Sequence, residues 1–360
     1  MPRIAGVAAA FPPRSYPQSA ITELLGPIIT DDPKKLALLK RLHANSKVDR
    51  RHLVMPYDWY KDTDLSFTLT NNTFIVAAVD LAEEATVGAL AKANLQPTDV
   101  DFIVFTSVTG ISAPSVDALM ALRLGFRSDV KRMPMFGLGC VAGAAGIARV
   151  NDYLIGHPGE VGLLISVELC SLTVQRGDDS MGNLVASGLF GDGSAAVVMV
   201  GSERATTMPV TGPDVLDTRS RLYPGTREVL GFNPSESGFR IVLTAGVADV
   251  IDEHFDSDVV GLLTEHELGV SDVDVWMAHP GGPRVLTSFQ AALGLAEGAL
   301  DVSWASMADK GNMSSASVLH VLAETLAQNK FESGDRGLLF ALGPGVCAEI
   351  VLVQWPEAAE

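Results

Sequence analysis

Three residues of this chain stand in contexts suited to covalent chemistry. Cys140 lies in "MFGLGCVAGAAGIARV", residues 135–150, between a glycine turn and a run of Ala and Gly that predicts a tightly packed helix. His279 lies in "WMAHPGGPRVL", and Asn312 in "DKGNMSSASVLHVL", a second glycine turn ahead of a second small-residue helix. A free thiol, with a pKa of ~8.5, is only a few per cent thiolate at neutral pH, and a helix N-terminus with a neighbouring imidazolium lowers that pKa by about one to several units. The pattern therefore predicts an activated thiolate at Cys140. An imidazole and a side-chain amide facing it would supply hydrogen-bond donors for a developing oxyanion. Such a trio suits acyl transfer through a thioester.

An internal repeat predicts how the three are brought together. "LQPTDVDFIVFTS" begins at Leu95 and "LGVSDVDVWMAHP" at Leu268, 173 residues on, while "GEVGLLISV" from Gly159 is echoed 175 residues later by "GDRGLLFAL" from Gly334. The same displacement of 173 carries Thr106 to His279, and Gly139 and Cys140 to Asn312 and Met313. The chain reads as two halves of one βα plan, 1–210 and 211–360, with Pro and Gly in "GPDVLDTRSRLYPGT" interrupting the pattern between 205 and 225. Apolar periodicity predicts helices at 74–93 and 115–124 and strands at 101–107, 161–167 and 194–200 in the first half. In the second half it predicts helices at 247–266, 282–294 and 314–328, a strand at 273–278, and two strands in 337–353 broken at "GPG". Fully apolar strands imply a sheet covered on both faces. Cys140, His279 and Asn312 then fall on the loops after strands or at helix starts, where α/β proteins bind ligands.

Composition excludes several function classes. The chain has 360 residues, 47% hydrophobic and 19% charged, enough for one large core or two fused ones. Three cysteines, Cys140, Cys170 and Cys347, form an odd set without metal-ligand spacing, which argues against a disulfide framework or a zinc site and for a reducing cytoplasm. The opening "MPRIAGVAAAFPPRS" lacks an export-signal core, and no run approaches the ~20 apolar residues of a membrane span. A net charge of −17 argues against nucleic acid. Yet Lys34, Lys35, Lys40, Arg41, Lys47, Arg50 and Arg51 cluster with only Asp49 opposing them, which is either a solvated helix face or a local anion site. Cys170 and Cys347 read as buried small hydrophobes. His43, His52, His157, His254, His266 and His320 lack glycine-rich contexts and read as surface or helix residues.

Five strings in order, "GCVAG", "LFGDGSAA" at 189–196, "HPGG" at 279–282, "GNMSSASVL" at 311–319 and "GPG" at 343–345, resemble the chalcone synthase-like, or type III polyketide synthase, branch of the thiolase superfamily. The resemblance spans most of the chain and implies an α/β, duplicated αβαβα layered fold. It implies that Cys140 carries the starter and growing polyketide, that His279 and Asn312 stabilise the enolate left when malonyl-CoA loses CO2, and that Phe190 is a gatekeeper of the cavity. Arg41 matches a residue that contacts CoA phosphates, with Lys40 and Lys47 beside it. Thr173, Phe232, Ile241, Ser314, Gly343, Pro344 and Gly345 are the further substrate-binding positions. The resemblance also implies acyl-CoA starter and malonyl-CoA as substrates, no metal, flavin or nicotinamide, and a homodimer.

Three positions depart from the plant-type pattern. Ile241 replaces a second gatekeeper phenylalanine, Ala113 a methionine that reaches into the partner's cavity, and Phe232 a cavity glycine. The starter, the number of extensions and the ring closure are therefore left open, with pyrones, resorcinols and polyhydroxynaphthalenes as candidates. Two rival functions share the Cys, His, Asn set. A ketoacyl-ACP synthase III usually has an asparagine soon after the histidine and a threonine after "GN", unlike "HPGG" and "GNMSS" here. A papain-like cysteine hydrolase has a different cysteine context and no need of duplicated small-residue helices.

Overall fold

The computed structural model describes residues 1–62 and 65–357. In chain order the strands are β1 (Arg3–Ala10), β2 (Ser15–Pro17), β3 (Arg50–His52), β4 (Phe102–Thr106), β5 (Lys131–Met135), β6 (Val161–Leu169), β7 (Asp192–Val200), β8 (Asp214–Leu222), β9 (Leu230–Ser235), β10 (Gly238–Leu243), β11 (Val275–Ala278), β12 (Arg336–Gly343) and β13 (Cys347–Gln354). Nine of them form one sheet in the order β11-β12-β13-β8-β1-β7-β6-β4-β5. The arrangement is nearly symmetric about the β8/β1 seam. On one side β4 runs parallel to β6, which is antiparallel to β7. On the other, β11 runs parallel to β12, which is antiparallel to β13. The repeat read from the sequence is this symmetry, with β4 and β6 recurring as β11 and β12.

Alternation along each strand shows why the sheet is covered on both faces. Val104 and Leu164 point to one side, into a cluster shared with Met277, Leu339 and Val351 and with two helices, Ala142–Gly156 and Ser315–Gln328. Their neighbours Ile103 and Leu163 point the other way, beneath the 27-residue helix Phe67–Ala93. In the second half Leu338 and Phe340 pack beneath helices that include Asp256–Glu265 and Pro283–Ala292. The result is helix, sheet, central helices, sheet and helix, the αβαβα layering.

The central helices explain the crowding of small residues after Cys140. A Cβ added at Gly143 would lie 2.3 Å from the Ser315 carbonyl oxygen, and one at Gly146 2.3 Å from Leu164 Cδ1. The two helices can approach because Gly143 has no side chain, and the first lies close on β6 because Gly146 has none.

Several expectations from the sequence need correction. The segment taken as a break in the pattern contains β8, which pairs with β13 over most of its length and closes the seam at Arg3 and Asp214. Its side chains are mostly polar and partly exposed, so it carries no apolar signal. Arg3 grips Asp214 with two bonds, 2.7 and 2.9 Å, fixing the seam further. The helix expected at 247–266 is present without a break over 246–265, with a π-turn at Ile251–Phe255. The helix Asp301–Lys310, strand β5 and the β9–β10 hairpin were not anticipated.

Candidate active site

Cys140 sits in the 3-10 turn Gly139–Val141 that runs into the helix Ala142–Gly156. Gly139 has φ 54°, and a Cβ there would stand 2.7 Å from the Pro344 ring, so the turn before the thiol requires glycine. From the second helix start, Ser314 Oγ lies 3.6 Å from Cys140 Sγ. The Asn312 side chain also faces the sulfur. Ser314 holds φ 47°, a conformation L residues rarely adopt, which typically costs ~1–3 kcal/mol and persists where the surroundings enforce it. Its own N–H donates to Asn312 Oδ1 at 2.8 Å.

Asn312 ties three loops together. Its Nδ2 donates to the Gly281 carbonyl at 3.2 Å, in the "HPGG" turn. Its backbone N–H donates to the Leu189 carbonyl at 2.8 Å, and its carbonyl accepts from Gly191 N–H at 2.9 Å, bracketing Phe190. His279 closes β11, its N–H donating to the Phe340 carbonyl at 2.9 Å. The imidazole is 2% exposed, and neither ring nitrogen has a hydrogen-bond partner among the described residues.

The electrostatics correct the expectation of an activated thiolate. Burial pushes the Cys140 thiol up to about 12; the Glu168 carboxylate adds to this, and hydrogen bonds with Ser314 and Asn312 oppose it. Burial also lowers His279 to about 3, so the resting site offers no imidazolium to stabilise a thiolate. A helix start does not outweigh desolvation here. Glu168 lies beneath the site, fully buried and raised by that burial. It accepts bonds from Ser315 Oγ, Thr109 Oγ1 at 2.9 Å and Val108 N–H at 3.1 Å, pinning the second helix start to the first half-sheet.

Cys140 opens into one mainly apolar cavity that Phe190, Phe232, Ile241, Thr173, Ser314 and Pro344 also line. Gly343 and Gly345 flank Pro344. A Cβ at Gly343 would meet the Leu138 carbonyl at 2.5 Å, and Gly345 takes φ 65° while donating to the Leu230 carbonyl at 2.8 Å. His279 and Asn312 are outside the cavity lining. Phe232 and Ile241 face each other across the β9–β10 hairpin, and Phe232 meets Phe239 edge-on at 6.5 Å between ring centres.

The basic stretch divides. Lys40, Arg41 and Lys47 are exposed, on or just after the helix Pro33–Ala44, and none lines the cavity. Lys40 borders a separate groove with Glu23 and Asp49. Lys35 pairs with Asp179 at 2.6 Å. Arg51, by contrast, is 1% exposed and lines the cavity, held by Gln18 Oε1 at 3.1 Å and the Phe190 carbonyl at 2.6 Å. His43 and His320 lie on helices but are buried, held by Thr22 and Ser187, and by Ser306, respectively. Sequence reasoning also missed Tyr60, Cys170, Ser171 and Phe239, all on the cavity wall. Burial raises the Cys170 and Cys347 thiols as it does Cys140, so this shift does not set the three apart.

Comparison with known proteins places this geometry. Residues 3–204 match the N-terminal domain of chalcone and stilbene synthases, and residues 215–355 match the C-terminal domain. A 1,3,6,8-tetrahydroxynaphthalene synthase from Streptomyces peucetius subsp. caesius is 48% identical over 352 residues, covering 98% of this chain and 93% of the relative. A phloroglucinol synthase from Pseudomonas fluorescens is 30% identical over 350 residues, covering 96% of this chain and 97% of the relative. The crystal structure of the 1,3,6,8-tetrahydroxynaphthalene synthase of Streptomyces coelicolor A3(2), a bacterial type III polyketide synthase, superposes with a TM-score of 0.92 at 32% identity, covering 99% of this chain and 100% of the other. A glycine-turned cysteine at one helix start, faced by an asparagine and a serine from its repeat counterpart, thus sits in a chain that belongs to the chalcone and stilbene synthase family, the type III polyketide synthases.

Proposed function

We propose that this chain extends an acyl starter by iterative decarboxylative condensation of malonyl-CoA and closes the product to a pyrone or phenol. In this reading Cys140 Sγ attacks the starter thioester, a carbon–sulfur bond forms, and CoA leaves as the thiol with the proton. Cys140 and His279 are both neutral in the resting site, so the thiol proton passes to the departing CoA sulfur in the step that forms the new carbon–sulfur bond. His279 and Asn312 then stabilise the enolate formed when the malonyl carboxylate departs as CO2, and the enolate carbon attacks the Cys140 thioester. Loss of CO2 drives each cycle, so the chemistry requires no metal or redox cofactor. Phe190 gates the cavity, and Phe232, Ile241, Thr173, Ser314, Gly343, Pro344 and Gly345 shape it. Lys40, Arg41 and Lys47, exposed on or just after the helix Pro33–Ala44, hold the CoA phosphates outside it.

The observation that carries this reading is the Cys140 thiol, faced by Ser314 and Asn312, opening into a single apolar cavity roofed by the β9–β10 hairpin. The 48% identity to a tetrahydroxynaphthalene synthase favours malonyl-CoA as both starter and extender, and a polyhydroxynaphthalene as product. The experiment is mass spectrometry of products from malonyl-CoA alone and from malonyl-CoA with a panel of starter acyl-CoAs. Products built wholly from malonate support the reading. Exclusive use of an added starter reassigns the first substrate, and release of free malonate without CO2 restores the hydrolase alternative.

We also read residues 1–210 and 211–360 as the two copies of the duplicated unit, acting in the cytoplasm as a homodimer. Among the described residues no helix is long and apolar enough to cross a membrane. Support for the dimer comes from β5, an edge strand, from the exposed Phe136 that follows it, and from Leu122, 85% exposed on the helix Val116–Leu124, whose Asp117 bonds Arg132 of β5.

A further inference from the structure

We propose that Ser171 transfers a proton during ring closure, taking it from the cavity-bound poly-β-keto chain as its own hydroxyl proton passes to the buried carboxylate of Asp192. The inference rests on the condensing activity proposed above and concerns the step after chain growth. Ser171 belongs to the turn Cys170–Thr173, which follows β6 directly and lines the same cavity as Cys140. Its Oγ donates to Asp192 Oδ2 at 2.5 Å, and its N–H donates to Oδ1 at 2.8 Å. A second hydroxyl, Tyr60 Oη, lies 2.6 Å from Ser171 Oγ.

The hydrogen-bond inventory fixes the direction of this chain. An ionised carboxylate only accepts, so the single Ser171 hydroxyl hydrogen is on the bond to Asp192. Tyr60 must then be the donor to Ser171, while its own oxygen accepts Met55 N–H at 3.3 Å. Both hydroxyl hydrogens therefore point toward Asp192. Ser171 Oγ has used its hydrogen and one lone pair, and its second lone pair has no partner among the described residues. Tyr60 is 1% exposed and Asp192 fully buried, so Ser171, at 6%, is the member best placed to touch a substrate. Tyr60 acts as a positioning residue that orients the Ser171 hydroxyl.

The step balances without an outside reagent. A methylene C–H between two carbonyls of the bound chain breaks, and its proton goes to Ser171 Oγ as the Ser171 hydroxyl proton moves to Asp192 Oδ2. The C–H electron pair becomes an enolate, whose carbon attacks another carbonyl of the same chain to form the ring bond. The proton on Asp192 returns through Ser171 to the alkoxide or departing thiolate so produced. Asp192 is suited to this because burial lifts it to about 6 against the opposing effects of its Ser171 and Val54 bonds and of Arg51. It is then ionised at neutral pH yet basic enough to accept a proton. Arg51, Tyr60 and Cys170 are the titratable groups facing it, with Glu168 and Cys140 facing Cys170 in turn.

The test measures, for malonyl-CoA turnover, the ratio of carbon-ring products to lactones per CoA released, a quantity that a general loss of turnover leaves unmoved. Ser171→Ala should lower this ratio by about tenfold or more, since general base catalysis contributes roughly 10²–10⁴-fold and lactones form by the competing uncatalysed route. In the unaltered protein the ratio should fall as pH drops through about 6, where Asp192 takes up its proton. That inflection should vanish in Ser171→Ala, which separates Asp192 from Glu168, also raised by burial. A folded Ser171→Ala protein with an unmoved ratio overturns the inference. Should that variant fail to fold, a pH-independent ratio in the unaltered protein overturns it instead. No CoA release from malonyl-CoA by the unaltered protein, alone or with any starter of the panel, removes the condensing reading and this inference together, whereas release with an unmoved ratio removes this inference alone.

Discussion

At Ser314 the backbone holds φ 47° so that one hydroxyl can face the Cys140 sulfur. Glycine is free of that strain and alanine is not, so Ser314→Gly should be more stable than Ser314→Ala by ~1 kcal/mol, as read by thermal or denaturant unfolding. The reverse order would show that the conformation is unstrained. The thiol has its own signature. Because burial raises Cys140 to about 12, its alkylation rate should keep rising with pH through the alkaline range. A plateau at or below the ~8.5 of a free thiol would instead reveal a standing thiolate paired with His279. The roles of the trio separate by substitution. Cys140→Ala should abolish condensation but leave CO2 release from malonyl-CoA, while Asn312→Ala should depress that release by roughly 10²-fold or more. Equal loss of both activities in folded Cys140→Ala would contradict the division. The approach of Asn312 to Cys140 was legible because the two stand in glycine turns that repeat across the chain. Ser171, Tyr60 and Arg51 were not, because a hydroxyl in a short turn and an arginine in a basic run have no local signal, and the fold alone brings them to one wall.

The helices Ala142–Gly156 and Ser315–Gln328 carry the chemistry at their starts and the dimensions of the site in their contact. Gly143→Val would press a side chain into the space 2.3 Å from the Ser315 carbonyl. Overpacking of this kind typically costs ~1–3 kcal/mol, and the shift should displace Cys140 from Ser314, so activity should fall further than stability. Activity measured well below the melting transition checks this; full activity there would mean that the helices adjust without moving the site. The β9–β10 hairpin sets the other wall. Phe232 packs against Phe239 there, and Phe232→Gly should shift products toward longer ketides or longer starters with turnover retained. An unchanged mass distribution with one fixed starter would show that Phe232 does not limit the chain. These elements differed in legibility for physical reasons. Strands buried on both faces and helices packed on them carry apolar periodicity that sequence reading detects. Strand β8 is polar and partly exposed, and its partner β13, far away in the chain, decides its structure, while Pro234 and Gly238 interrupt the local pattern of the β9–β10 hairpin.

One sheet of nine strands runs through both halves, and Arg3 and Asp214 pair at its seam. The proposed site, divided between Cys140 on one half and His279, Asn312 and Ser314 on the other, needs the two halves held in place. The dimer proposed above would set the free edge of β5 against a second copy of the chain and bring Ala113 near the partner's cavity. Sedimentation should therefore show a dimer, and a stable monomer at micromolar concentration would contradict this arrangement. The central claim is that one thiol of three carries the growing chain. Acid-quenched protein taken during turnover of malonyl-CoA should yield, on peptide mass spectrometry, ketide adducts on the peptide bearing Cys140 and none on those bearing Cys170 or Cys347. Turnover without an adduct on Cys140, or with the adduct on either other cysteine, would contradict the account.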